Sequence, residues 1–371
     1  MVIGYEAKRA FHNFTGLGNY ARTLLKNMAI HYPDNRYLLF SPTISNKSET
    51  QFFFEKSPFD LITPQSKNWT NLLWRLFFLK NEITKRKADI FHGLSNELPI
   101  GLKQKSVVTI HDLIFKSRPE EYPLTDRLIY DFKFKKSAFQ ADLVIAISQA
   151  TKNHLLDSYN LPEEKIRILY QSCNPTFYQN ISLPEKEHFL TKYALPDNFL
   201  LYIGSIIPRK NLLNLVKAIE ILPPELKLPL VVIGHGKTYK NQVKEYVEKK
   251  KLSDLILWRQ IPYGEFPLLY QTAYIFIYPS FQEGFGIPVL EALASGTPVV
   301  TSKFSSLPEA GGPDSVYIDP HSPEEISFGI QNLLEDKLFR KSVVEMGKEY
   351  AKKFHGKLLS DQLMAIYRDI A

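Results

Sequence analysis

Short apolar runs rich in Val, Ile, Leu and Tyr recur along the chain, separated by longer stretches of helical period. In the first half the pattern predicts strands at Val2–Tyr5, Tyr37–Phe40, Asp60–Thr63, Asp89–His92, Ser106–Ile110, Leu143–Ile147 and Arg167–Tyr170. In the second half it predicts them at Leu200–Gly204, Leu230–Gly234, Leu255–Arg259, Ile275–Tyr278, Pro298–Thr301 and Val316–Ile318. Many of these runs are apolar throughout rather than alternating, as strands buried on both faces of a parallel sheet are. Strand–helix alternation then predicts a doubly wound α/β architecture. A polar, proline-containing stretch between Asn174-Pro175 and Leu195-Pro196-Asp197 marks a boundary. The expected division is one Rossmann-like domain over 1–175 and a second over 176–354, with ligands bound in a cleft between them.

Composition narrows the class. The 371 residues are 44% hydrophobic and 23% charged, which excludes disorder, collagen-like repeats and coiled coil as descriptions of the whole chain. Cys173 is the one cysteine, so neither an intramolecular disulfide nor a thiolate metal cage can form. The net charge of +7 lies wholly within residues 1–175, while 176–371 are balanced. That asymmetry fits either an anionic partner or a solvated basic surface on the first half. Met1-Val2-Ile3-Gly4-Tyr5 reads as a strand rather than a secretory leader. The most apolar stretch, Leu72 to Leu79, contains Arg75 and is far shorter than the ~20 residues of a membrane span. A cytoplasmic protein, or one peripheral on the inner membrane face, is expected, with no nucleic-acid partner. The segment 67–87 sets Trp69, Leu72, Leu73, Leu76, Phe77 and Ile83 near helical spacing between basic residues. It suits an anionic membrane surface, or a helix packed on its own sheet.

Several motifs could carry chemistry. Gly16-Leu17-Gly18-Asn19-Tyr20-Ala21 has the spacing of a dinucleotide fingerprint, yet it stands about ten residues beyond strand one. No acidic residue ends Tyr37–Pro42, so the dehydrogenase reading fails. What remains is a glycine loop opening a helix at Tyr20–Ala29, able to approach an anion or simply to make a tight turn. Glu283-Gly284-Phe285-Gly286-Ile287-Pro288 follows the strand Ile275–Tyr278, and Glu291 is expected in the first turn of the next helix. Carboxylates grip the vicinal diols of ribose and hexose rings, and the amides between can hold phosphates. Pro208-Arg209-Lys210-Asn211 puts two cations at an expected helix start, where the dipole opposes them unless an anion binds. Gly234-His235-Gly236 leaves room for a ligand or makes an ordinary turn. His111-Asp112 closes the strand Ser106–Ile110 at its carboxyl end, where open α/β sheets place ligands. No metal-binding pattern, nucleophile elbow or Walker loop occurs in the sequence, so no metal is expected.

Together the glycine loop, His111-Asp112, Ala146-Ile147-Ser148-Gln149, Pro208-Arg209-Lys210-Asn211, the Glu283 to Glu291 span and Ala294-Ser295-Gly296-Thr297-Pro298-Val299-Val300 resemble the family 4 retaining glycosyltransferases of GT-B fold, particularly bacterial mannosyltransferases. The resemblance implies a second domain binding a nucleotide-sugar and a first domain binding the acceptor, with a C-terminal helix near 355–371 packing back onto the first. It implies Glu291 on the ribose, Arg209 and Lys210 on the diphosphate, and Gly16, with Gly18 and Gly234, lining the donor site. Glu283 and the backbone of Phe285, Gly286 and Ile287 would orient the donor sugar, with His111 near the bond that breaks. The implied reaction moves a hexosyl group from a GDP- or UDP-sugar to a glycan or lipid-pyrophosphate-linked acceptor, with retention and without a metal or other cofactor. Two positions depart from the family pattern: Ser205 where Arg is common, and Phe354-His355-Gly356 where Ser-Trp or Thr-Trp is common. The same fold also hosts sugar-nucleotide epimerases, phosphorylases and non-catalytic sugar binders.

Overall fold

Strands such as Leu-Val-Ile-Ala, Leu-Leu-Tyr-Ile and Leu-Val-Val-Ile offer no polar face, so helices must cover both sides of the sheet they form. The computed structural model describes residues 1–55, 58–64 and 73–371. It divides into two units, one of Met1–Ser172 with Phe354–Ala371 and one of Cys173–Lys353.

The first unit holds β1 (Val2–Glu6), β2 (Arg36–Phe40), β3 (Phe59–Ile62), β4 (Ile90–Gly93), β5 (Lys105–Ile110), β6 (Leu143–Ala146) and β7 (Ile166–Ile168). They form one parallel sheet in the order β3-β2-β1-β4-β5-β6-β7. Its core includes Leu38, Phe40, Phe91, Val108, Ile110, Val144 and Ala146. The helix Gly16–His31 begins four residues before the expected Tyr20, so the anticipated glycine loop is helix instead. Gly18 is the reason it fits: a Cβ there would lie 1.6 Å from the Asn13 carbonyl oxygen. Gly16, by contrast, is exposed, with nothing within 4 Å of its Cβ position.

The helix Gly356–Ile370 belongs to this unit and packs on Gly16–His31. Its Tyr367 hydroxyl bonds His92 Nδ1 at 2.6 Å and donates to the Tyr5 hydroxyl at 3.1 Å, all three buried. Of the segment 67–87, residues 67–72 lie outside the described residues. Beyond them, Leu79 and Ile83 of the helix Leu79–Lys85 are buried with Trp74, while Leu73 and Phe77 are exposed.

The second unit holds β8 (Leu200–Ile203), β9 (Leu230–Ile233), β10 (Ile256–Arg259), β11 (Ile275–Tyr278), β12 (Val299–Ser302) and β13 (Val316–Ile318). Its parallel sheet runs β10-β9-β8-β11-β12-β13, the same doubly wound plan as the first. The core combines Leu200, Tyr202, Leu230, Val232, Ile275, Ile277 and Val300 with Leu215, Val216 and Ile219 of the helix Leu212–Ile221. Every strand expected from the apolar pattern is present, and both sheets are doubly wound as that pattern predicts.

Candidate active site

In the second unit the strand order reverses between β8 and β11, which pair at Ile275–Leu200 and Phe276–Leu201. Loops leaving the carboxyl ends of neighbouring strands at such a reversal splay apart and leave a crevice for ligands. Here one loop carries Arg209 and Lys210 and the other carries Glu283. Asn211, in left-handed conformation at φ 60°, holds them in register. Its side-chain amide donates to the Pro279 carbonyl at 3.1 Å and the Pro320 carbonyl at 2.6 Å. The Phe281 amide and the Ser280 hydroxyl both donate to the Arg209 carbonyl, at 2.9 and 3.2 Å.

This stitching brings three of the expected site residues together. Glu283 Oε1 lies 3.0 Å from Arg209 Nη1 and 2.9 Å from Lys210 Nζ. The same oxygen accepts from Ser280 Oγ at 2.6 Å and from the Tyr278 hydroxyl at 3.1 Å. Lys210 Nζ also donates to the Tyr278 hydroxyl, and Arg209 to the Gln282 carbonyl. All four protein donors converge on Oε1, which leaves Oε2 without a hydrogen bond among the described residues. Burial alone would push the Glu283 carboxyl up, but Lys210 and Arg209, with the bonds from Ser280 and Lys210, hold it at about 2.

The two cations therefore differ from their expected setting. They sit on the single turn Pro208–Lys210, ahead of the helix Leu212–Ile221, and Glu283 already supplies their counter-charge. An anion is not needed to excuse them; it would have to share them with Glu283.

Glu291 stands in a different environment. It lies one turn inside the helix Ile287–Ser295 rather than in its first turn, so the helix dipole does not account for it. It is buried, and its two oxygens accept from the Tyr263 hydroxyl at 2.9 Å and the Tyr270 hydroxyl at 3.2 Å. Burial raises its carboxyl to about 7 despite the two tyrosine bonds. Between the two carboxylates, Gly286 caps the helix at φ 131°, a conformation open to glycine, and Ile287 begins it. Phe285 buries its ring and gives its carbonyl to Ser306 Oγ at 2.8 Å.

Gly234 has a structural reason for being glycine. A Cβ there would meet the Gly204 carbonyl oxygen at 1.9 Å, and one at Gly236 would meet that of Ile206 at 2.3 Å. The loops after β8 and β9 thus pack backbone to backbone, and the glycines serve that approach.

His111 follows β5 in the first unit, as expected. Its backbone amide donates to Asn96 Oδ1 at 2.8 Å, and its Nε2 donates to the Leu94 carbonyl at 2.8 Å. Nδ1 then accepts from the Gln171 side-chain amide at 3.1 Å. Burial pushes the ring down to about 4 against the opposing pull of the Leu94 bond, so His111 is neutral near pH 7. Among the described residues no group of three or more His, Cys, Asp and Glu side chains could hold a metal ion. No described helix is long and apolar enough to cross a membrane.

Four residues of these clusters escaped the sequence reading: Tyr278, Ser280, Tyr263 and Tyr270. Tyr278 and Tyr270 look like core residues because their rings are core residues. The available signal for Tyr278 was its place as the last residue of an apolar strand, where the hydroxyl must leave the core.

The chain thus holds two parallel doubly wound units, the second with a carboxylate and two cations at its strand reversal. Residues 14–177 match the family described as "Glycosyltransferase Family 4" and residues 184–353 the one described as "Glycosyl transferases group 1". The chain belongs to the family 4 glycosyltransferases and is a glycosyltransferase of GT-B fold. It is 29% identical to "O-antigen chain mannosyltransferase B" of Escherichia coli, across 99% of this chain and 100% of that protein. It is also 29% identical to "O-antigen chain mannosyltransferase RfbU" of Salmonella typhimurium, covering 63% of this chain and 62% of that one. Among solved structures, the Anabaena protein Alr3699/HepE in complex with UDP and glucose superposes with TM-score 0.78 at 17% identity, each chain covered to 99%. WaaG, a glycosyltransferase involved in lipopolysaccharide biosynthesis, superposes with TM-score 0.74 at 20% identity, again over 99% of each chain. These two likenesses concern the fold.

Proposed function

We propose that the chain moves a hexosyl group, with mannosyl favoured, from a nucleotide-diphosphate sugar to a glycan or lipid-linked acceptor, with retention of configuration and without a metal. The observation that carries this reading is the cluster at the β8/β11 reversal, where Glu283 gives Oε1 to the protein and keeps Oε2 open. In the proposal Oε2 accepts a hydroxyl of the donor sugar. Arg209 and Lys210 turn part of their charge to the diphosphate, the first as a fork and the second as a point charge. Charge grows on the leaving diphosphate as the glycosidic bond breaks, so fixed cations lower the barrier more than they tighten ground-state binding.

Glu291 takes the ribose hydroxyls, and Phe285, Gly286 and Ile287 present backbone to the sugar and phosphates. From the first unit, His111 and Gly16 are assigned to the substrate. A neutral His111 acts there as a fixed dipole and not as an acid. The leaving diphosphate oxygen takes the acceptor's proton as the new bond forms on the face the leaving group quits, so no covalent nucleophile is required. The mannosyl preference rests on what the curated relatives are named for.

A panel of GDP- and UDP-sugars tests the reading, with release of the nucleoside diphosphate and the anomeric configuration of the product as readouts. Acceptor-dependent release with a retained anomer, undiminished in excess EDTA, is expected. Loss of turnover on chelation, restored by Mn²⁺ or Mg²⁺, overturns the metal-free mechanism. An epimerised donor with no acceptor consumed overturns the transferase assignment for the bound sugar.

A further inference from the structure

His111 is held more completely than a residue at a strand end has to be. Its backbone amide is fixed by Asn96, and its carbonyl accepts from Thr151 Oγ1 at 3.1 Å. The ring is gripped separately. Leu94, just beyond β4, takes the Nε2 proton on its carbonyl at 2.8 Å, and Gln171, beyond β7, sets its side-chain amide nitrogen 3.1 Å from Nδ1. The Tyr20 ring, from the helix Gly16–His31, packs edge-on with its centre 4.7 Å from that of the imidazole. His111, Gln171 and Tyr20 are all buried in the first unit.

The two ring bonds are of opposite kind, and that fixes the protonation of the ring. A carbonyl only accepts, so Nε2 carries a proton. A neutral imidazole has one proton, so Nδ1 is the lone-pair nitrogen and needs a donor. Glutamine supplies that donor; an ionised glutamate of the same length does not. With a carboxylate at 171 both ring nitrogens would face acceptors, and an imidazolium alone would satisfy both. The other charges acting on the ring do not favour one: the Arg9 guanidinium opposes a positive ring, and His92 is itself neutral, pushed down to about 3 by burial.

We infer that Gln171 is a positioning residue for the transfer reaction: its amide holds the His111 ring in one orientation and in the uncharged Nε2–H tautomer. The inference rests on the proposed placing of His111 at the donor sugar. As the glycosidic bond breaks, positive charge grows on the sugar ring, in an oxocarbenium-like transition state. An imidazolium beside it would repel that charge, and a ring free to turn would lose its alignment. With both nitrogens engaged by the protein, the ring offers the sugar a fixed neutral dipole. Gln171 moves no proton and acts only through His111.

Imidazole nitrogen chemical shifts of the full chain, isotope-labelled at histidine, test it alongside donor kinetics. The His111 signals among nine histidines are those missing from H111N. At pH 7 the parent protein should show a protonated Nε2 and an unprotonated Nδ1. Q171E should show both nitrogens protonated, and its kcat should fall about 10²-fold with KM for the donor unmoved. Q171M keeps the length but loses the donor; its ring should stay neutral and its kcat fall about three- to ten-fold, again at unchanged KM. Melting temperature and circular dichroism establish that each variant is folded, and the parent tautomer and Q171M keep the test open should Q171E not fold. A parent protein protonated on Nδ1, or a neutral His111 ring in Q171E at pH 7, overturns the inference. So does parental turnover in both Gln171 variants. Should H111N then be inactive, the inference alone has failed; should H111N also turn over at the parental rate, the placing of His111 at the sugar has failed with it.

Discussion

Glu283 and Glu291 stand eight positions apart in sequence and are both largely buried, yet the fold sets their acidities about five pH units apart, at about 2 and about 7. Burial acts on both in the same direction. The difference lies in what faces each carboxylate: two cations and two hydroxyls around Glu283, two phenols and no cation around Glu291. A charged donor offsets the desolvation of an anion; a neutral one only softens it. One carboxylate is thus a permanent anion, while the other exchanges its proton near neutral pH.

The strongest test of that contrast is Glu283→Gln. It strips the counter-charge from Arg209 and Lys210, which are only 12% and 13% exposed in their side chains. A stability loss of about 3–5 kcal/mol is expected from the uncompensated buried charge, read from denaturant unfolding. Turnover should fall about 10²- to 10³-fold, while affinity for free nucleoside diphosphate does not fall, because the cations are released to it. A variant that loses diphosphate affinity would show that Glu283 aids the clamp instead of competing for it.

Lys210→Ala comes next. Removing one of two cations should raise the barrier by roughly 2–4 kcal/mol, about 30- to 1000-fold in kcat. Binding of the nucleoside without phosphates should be unaffected when measured by calorimetry.

The third test uses the proton on Glu291. Its folded value of about 7 lies above the ordinary 4.5, so the folded state holds that proton more tightly than the unfolded chain does. Its contribution to stability is then fully present below 4.5 and is lost as pH rises through about 7. Glu291→Gln does not titrate, so its melting temperature relative to the parent protein should climb between pH 5 and pH 8. Nucleoside affinity of the parent protein should rise across the same window as the carboxylate ionises, and that of the variant should stay flat. A flat profile in both would mean that Glu291 is ionised throughout.

Tyr278→Phe carries the smallest expected effect. It removes one donor to Glu283 Oε1 and one acceptor for Lys210 while keeping the fully buried ring. A drop of about three- to ten-fold in kcat is expected, with KM for the donor and nucleoside binding unmoved. An equal rise in KM would make the hydroxyl a binding group rather than one that positions Lys210.

The strands were legible because a strand covered on both faces must be apolar at every position, and runs such as Ile275–Tyr278 can do little else. The chemistry of Arg209, Lys210 and Glu283 was legible from residue type and from their places beyond strand ends. Their mutual pairing was not, because it depends on β8 lying beside β11, with more than 70 residues between Arg209 and Glu283. The close backbone packing at Gly18 and Gly234 was illegible for a related reason. A glycine that admits a ligand and one that admits the protein's own backbone look alike in sequence, and the contacts at 1.6 and 1.9 Å that distinguish them arise from distant segments meeting. His111 was placed correctly at the end of its strand, but its neutrality follows from Leu94 and Gln171, which no local pattern announces.

The buried bonds from Tyr367 to His92 and Tyr5 bear on the order in which the chain acquires its structure as it leaves the ribosome. Residues 1–172 emerge first, but the helix that closes their core is not made until 354–371 have been translated. Through that interval the unit carries an uncovered patch around His92 and Tyr5, while residues 173–353, an unbroken stretch, have all they need to fold. The bulk of the first unit is therefore made before the second but should finish folding after it, a reversal of the usual N-terminal-first sequence.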